Sequence, residues 1–73
     1  MDHKKKFNQL LGMEIKKLRQ AQGLSQEELG YKAGINRTYI GAIERGEKSI
    51  SVYKLFQILN ALQIKTEESF KNI

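Results

Sequence analysis

The chain predicts an all-α fold of five helices, and three observations carry that expectation. It holds no proline, β-branched residues rarely run together, and apolar side chains recur at three- and four-residue steps. Its centre, Gln26 to Arg45, reads as two short helices joined by a glycine turn. There Leu29, Ala33, Ile35, Ile40 and Ile43 can form one shared seam, with Gly30 and Gly34 at the crossing.

The opening MDHKKK (residues 1–6) is expected to be a mobile basic tail, leaving residues 7–73 as a single domain. From Phe7, the residues Phe7, Leu11, Ile15 and Leu18 mark one buried stripe on a first helix that stops at Gly23, after which Leu24 drops into the core. Ser25 and Glu28 have the S-x-x-E spacing of a capping box, so a second helix opens at Ser25. Leu29 and Ala33 face inward, and Gly30 leaves room for the third helix, with Ile40 expected against it. Gly34 suits a tight turn needing positive φ. Asn36 then caps a third helix that runs to Arg45 and closes at Gly46. Ser51 caps a fourth, with Leu55, Ile58, Leu59 and Leu62 inward. Ile64 and a short fifth helix near Thr66, carrying Phe70, complete the chain.

Bulk properties narrow the function classes. With 73 residues there is one small core, and a domain of about 60 residues buries only about 60% of its unfolded surface. Thirteen basic and eight acidic side chains give +5, which favours polyanionic partners once the charge is gathered on one surface. Without cysteine there are no disulfides or thiolate metal sites, and a reducing cytoplasm is the expected location. No apolar run is long enough to span a bilayer, and the N-terminus lacks the apolar segment of a signal peptide. His3 has no second ligand near it in sequence, so no metal is expected. No carboxylate pair, nucleophile–base arrangement or phosphate-cradling glycine loop stands out, so neither an enzyme, a cofactor nor a small-molecule ligand is expected.

The central pair of helices carries the chemistry. A plain helical hairpin would also place glycine in its turn. Here, however, the connection is short and the second helix compact, so its polar leading residues Asn36, Arg37, Thr38 and Tyr39 cannot all be packed away. A helix that offers its N-terminal side chains outward is the unit that enters the major groove of DNA. Arg37 has the planar fork that fits guanine O6 and N7, worth about 1–3 kcal/mol of discrimination; otherwise it is an ordinary solvated cation. Thr38 offers a hydroxyl or a methyl. Tyr39 can reach a phosphate, a sugar or a thymine methyl, or lie sideways on the protein. Ala42, one turn on, is too short to hydrogen-bond a base. Lys4 to Lys6 read first as a solvated tail, with an arm along phosphates as the alternative.

The segment Leu18 to Leu62 resembles the Cro/repressor-type (Xre-like) helix-turn-helix family. The resemblance rests on LRQAQGLSQEELGYKAGI, on I-x-x-I-E-R-G in the third helix and on L-x-x-I-L-x-x-L-x-I in the fourth. Within that family INRTYIGAIERG is similar to the controller proteins of restriction–modification systems. The resemblance implies a lambda-repressor-like DNA-binding domain. It makes Arg37, Thr38 and Tyr39 the readers of base edges and Gln26 a phosphate ligand. It puts Arg45, Lys48 and Ser49 against the backbone or flanking groove, and Asn36 is counted with them. It also implies a structural ion pair between Arg19 and Glu44.

Tyr53, Phe56, Ile64 and Phe70 are more apolar surface than a small monomer leaves exposed, so the C-terminal helices are expected to form a homodimer. The expected function is therefore sequence-specific transcriptional regulation, as a restriction–modification controller or a prophage-type repressor, by a homodimer on a short palindromic or pseudo-palindromic operator in double-stranded DNA. Two routes are open, blocking RNA polymerase or contacting it. Two rivals keep the fold: an antitoxin-like module that holds a protein partner, and a non-specific nucleoid or RNA binder.

Overall fold

The computed structural model describes residues 2–64. Its four helices are α1 (His3–Ala21), α2 (Gln26–Ala33), α3 (Arg37–Glu44) and α4 (Val52–Ala61). α3 packs on both α1 and α2, and α2 packs on α4. The expected fifth helix near Thr66, with Phe70, lies outside the described residues.

All four described helices start where a short polar side chain can replace a missing turn. The Ser25 hydroxyl accepts from the Glu28 N–H (3.0 Å) and the Glu28 carboxylate accepts from the Ser25 N–H (2.9 Å), completing the capping box. That backbone donation holds the Glu28 carboxyl below its ordinary range. The Asn36 side chain accepts from the Thr38 N–H (2.7 Å) and that of Ser51 from the Lys54 N–H (3.1 Å). The start of α1 differs from expectation. Asp2 accepts from the N–H groups of Lys4 and Lys5 (3.0 and 3.2 Å), so the helix begins at His3 and Lys4 to Lys6 lie within it, not in a tail.

All four described helices end alike. The N–H of Leu24, Ile35, Glu47 or Ile64 donates to the carbonyl five residues back, across a residue of positive φ. Gly34 fills that position between α2 and α3 (φ 71°); Gln63 takes it after α4 without being glycine (φ 60°). In three cases the residue that follows is apolar and packs on the core, namely Leu24, Ile35 and Ile64. Closing a helix and seeding the core are thus one local event.

The core joins Ile15, Leu29, Ala33, Ile35, Ile40, Ile43, Ile58 and Leu62, all buried, with Leu11, Leu18 and Leu55 packed against it. Two expectations need correction. Phe7 is 57% exposed, outside the buried part of its stripe. Gly30 does make room for α3, but for backbone and not for Ile40: a Cβ there would meet the Ile35 carbonyl oxygen at 2.5 Å and the Arg37 nitrogen at 3.3 Å. A second close approach occurs at Gly12, where a Cβ would fall on the carbonyl oxygens of Ile43 and Glu44. α1 and α3 therefore cross with backbone nearly on backbone, which fixes the end of α3.

Candidate nucleic-acid interface

The position of α3 is set by a buried charge pair. Arg19 Nε donates to Glu44 Oε2 (2.7 Å) and Arg19 Nη2 to Glu44 Oε1 (3.1 Å), while Arg19 Nη1 donates to the Leu24 carbonyl (2.7 Å). The Gln26 amide adds a further bond to Glu44 Oε1 (3.1 Å). Both charged residues are buried, with 8% and 7% of their surface exposed. The bond from Glu44 raises the Arg19 pKa above its ordinary value. This one cluster ties α1, the turn after it, the first residue of α2 and the last of α3. A carboxylate at the C-terminus of a helix is disfavoured by the helix dipole, and Arg19 offsets that.

With its C-terminal half anchored, α3 presents only its start. Ile40, Gly41, Ala42, Ile43 and Glu44 are buried, whereas Asn36, Arg37 and Thr38 are exposed and Tyr39 is half-buried. Ala42 therefore offers no side chain to a groove, and any readable surface of α3 is its first turn. Gly41 is covered from outside by two long side chains: a Cβ there would meet Arg45 Nη1 at 3.1 Å and Gln26 Oε1 at 3.3 Å. An open cleft results, lined by Gln26, Glu27, Arg37, Thr38, Gly41 and Arg45 among others.

The fold thus brings together Gln26, Arg37, Thr38 and Arg45, and sets Tyr39, Lys48 and Ser49 beside them by another route. The Tyr39 hydroxyl donates to the Ser49 carbonyl (3.3 Å), and the Lys54 ammonium lies 5.0 Å from its ring centroid. Tyr39 lies sideways and holds the loop that carries Lys48 and Ser49, both exposed. Ser49 also accepts from the Asn8 side chain (3.3 Å).

Sequence reasoning missed the acidic partners on this face. Arg37 pairs with Glu27 (3.2 Å) and Arg45 with Glu47 (2.8 Å), all four well exposed. The bond from Arg45 holds the Glu47 carboxyl below its ordinary range, and Glu47 in turn raises Arg45. Exposed pairs of this kind are worth about 0–1 kcal/mol, less than a bidentate base contact. Both arginines can therefore be exchanged onto another partner at little cost. The signal for Glu27 is only its place in the first turn of α2, which sequence patterning assigns equally to the helix dipole.

Of the expected dimer residues, Tyr53 is 71% and Phe56 41% exposed, with the exposed Val52 beside them on α4. Ile64 is half-buried against the monomer core, and Phe70 lies outside the described residues. Among the described residues no acidic, histidine or cysteine cluster could hold a metal ion, and no helix is long and apolar enough to cross a membrane.

A helix-turn-helix family model (HTH_3) matches residues 15–69. The chain is 32% identical over 71 residues to the control protein C.SmaI of Serratia marcescens, covering 90% of this chain and 84% of that protein. Among solved structures, the restriction–modification controller protein C.AhdI of Aeromonas hydrophila superposes with a TM-score of 0.80 at 36% identity, covering 84% of this chain and 92% of its own. The controller protein C.Esp1396I, solved as a tetramer with its natural 35 base-pair operator, gives 0.83 at 32%, covering 89% and 86%.

Proposed function

The chain belongs to the helix-turn-helix family, and from that premise we propose that it is a sequence-specific DNA-binding transcriptional regulator of the restriction–modification controller type. It acts as a homodimer on a short palindromic or pseudo-palindromic operator in the cytoplasm. One observation carries this reading. Arg37 and Thr38 stand exposed at the Asn36-capped start of α3 and border one open cleft with Gln26 and Arg45. Likeness to control proteins along most of the chain, one of them solved on its operator, supports the controller role.

Arg37 and Thr38 read base edges, with Arg37 exchanging Glu27 for guanine. Gln26 keeps one amide hydrogen on Glu44 and offers the other to a phosphate, beside the first N–H groups of α2 that the helix cannot satisfy itself. Arg45, Lys48 and Ser49 grip the backbone or flanking groove, and Asn36 shapes the helix start that faces it. Tyr39 adds a contact from its exposed edge while holding the Ser49 loop. The chain from α1 onward acts as one DNA-binding unit, with its C-terminal helices contributing to dimerisation. Where an operator overlaps a promoter, occupancy blocks RNA polymerase; upstream of one, the bound dimer can contact it.

The test is Arg37→Ala, titrated against a site selected from random DNA and against its scrambled version at matched salt. Preference at one base pair should disappear while residual binding remains. Uniform weakening on every sequence would contradict the base-reading role. Lys48→Ala should instead weaken all sequences evenly and flatten the salt dependence by about one unit of slope.

A further inference from the structure

We propose that the first turn of α1 is a second phosphate-binding element, in which Lys4 and Lys5 grip the duplex backbone beside the segment that α3 enters. The proposal rests on the DNA-binding reading above and extends its surface. Three observations meet at this place.

First, the two lysines are held in register. Asp2 takes the N–H groups of both, which extends α1 back to His3. Those amides are thereby occupied, so the ammonium groups, not the helix end, supply the site.

Second, the following turn of α1, which carries Asn8 and Gln9, is pressed onto the loop after α3. The Asn8 amide donates to the Ser49 hydroxyl (3.3 Å), and a Cβ on Gly46 would lie 2.8 Å from Gln9 Cα. Only glycine permits that approach, and Gly46 also has positive φ (75°).

Third, Lys4, Lys5, Asn8, Arg45 and Ser49 line one open cleft, and Arg45 also lines the cleft of Gln26, Arg37 and Thr38. The two clefts share that side chain as a wall, so they form one continuous surface. The acids bordering the second cleft are already engaged: Asp2 caps α1 and Glu47 pairs with Arg45. Neither Lys4 nor Lys5 has an ion-pair partner among the described residues.

A duplex seated on α3 would therefore meet further positive charge beyond Arg45. Each phosphate neutralised contributes about 0.9 to the slope of log affinity against log salt. Such contacts position the protein without reading sequence.

The experiment compares the wild type with the double variant Lys4→Gln/Lys5→Gln, measuring that slope by anisotropy on operator and scrambled duplexes. A charge-matched control, Lys16→Gln/Lys17→Gln, alters exposed lysines on the same helix that border neither cleft. Thermal unfolding verifies that both variants fold. The expected result is a slope shallower by about two units per subunit for the first variant alone, with the operator-to-scrambled ratio unchanged. An unaltered slope, or an equal drop in the control, overturns the proposal. A wild type that fails to distinguish operator from scrambled DNA would contradict the regulatory reading instead. The slope comparison would still decide the role of Lys4 and Lys5, because phosphate binding is sequence-blind.

Discussion

Glu44 shows how much of this surface depends on one buried side chain. It accepts from Arg19 twice and from Gln26 once, and so sets the angle at which α3 leaves α1. Removing one member of a buried pair leaves the other charge without compensation, at a cost of about 3–5 kcal/mol. Glu44→Ala should therefore lower unfolding free energy by that amount in urea titration. A loss under about 1 kcal/mol would instead mean that the pair behaves like an exposed one. The pairing itself was legible, because family resemblance identifies both residues. Gln26 as third partner was not, since nothing local in the sequence brings position 26 to position 44. The same holds for the pairing of Arg37 with Glu27 and for the Ser49 carbonyl that fixes Tyr39 sideways, one of the two poses open to it from sequence. Each is settled by side chains meeting across elements.

Elements were legible where their signals are local. Ser25, Asn36 and Ser51 cap the helices assigned to them, and the glycine at position 34 takes the positive φ that its turn requires. The start of α1 departs from expectation because three lysines in a row suggest solvated chain, whereas Asp2 supplies the missing acceptor. Phe7 departs from it for another reason: periodicity identifies a face, but not how far neighbouring elements extend along it. Gly12 carried no signal at all, since a glycine inside a helix does not announce which backbone crosses it. Its importance can be measured. Gly12→Ala would drive a methyl into the carbonyls of Ile43 and Glu44 and should cost about 1–3 kcal/mol, with weaker operator binding as α3 tilts. Met13→Ala, one residue on but 64% exposed, should change stability by no more than about 0.5 kcal/mol. Equal effects from the two would remove the close crossing from the account.

At the scale of the whole molecule, the two or three side chains per subunit proposed to read bases are too few for specificity, so the proposed function requires pairing. Tyr53, Val52 and Phe56 give α4 an exposed apolar face, on the same helix that supports α2 and hence the start of α3. Dimerisation through that face would hold two α3 helices at a fixed separation. A two-fold pair that reads successive major grooves must set them about 34–36 Å apart, one turn of B-DNA. The domain class was legible from pattern and resemblance, and so was the exposed start of the helix proposed to meet DNA, but this distance depends on a second copy that no single sequence specifies. Hydroxyl-radical footprinting of the wild-type protein on its selected operator tests the account most directly. It should reveal two protected patches on one face of the duplex, their centres about 10–10.5 base pairs apart. A single patch, or protection that shifts freely along the DNA, would contradict it.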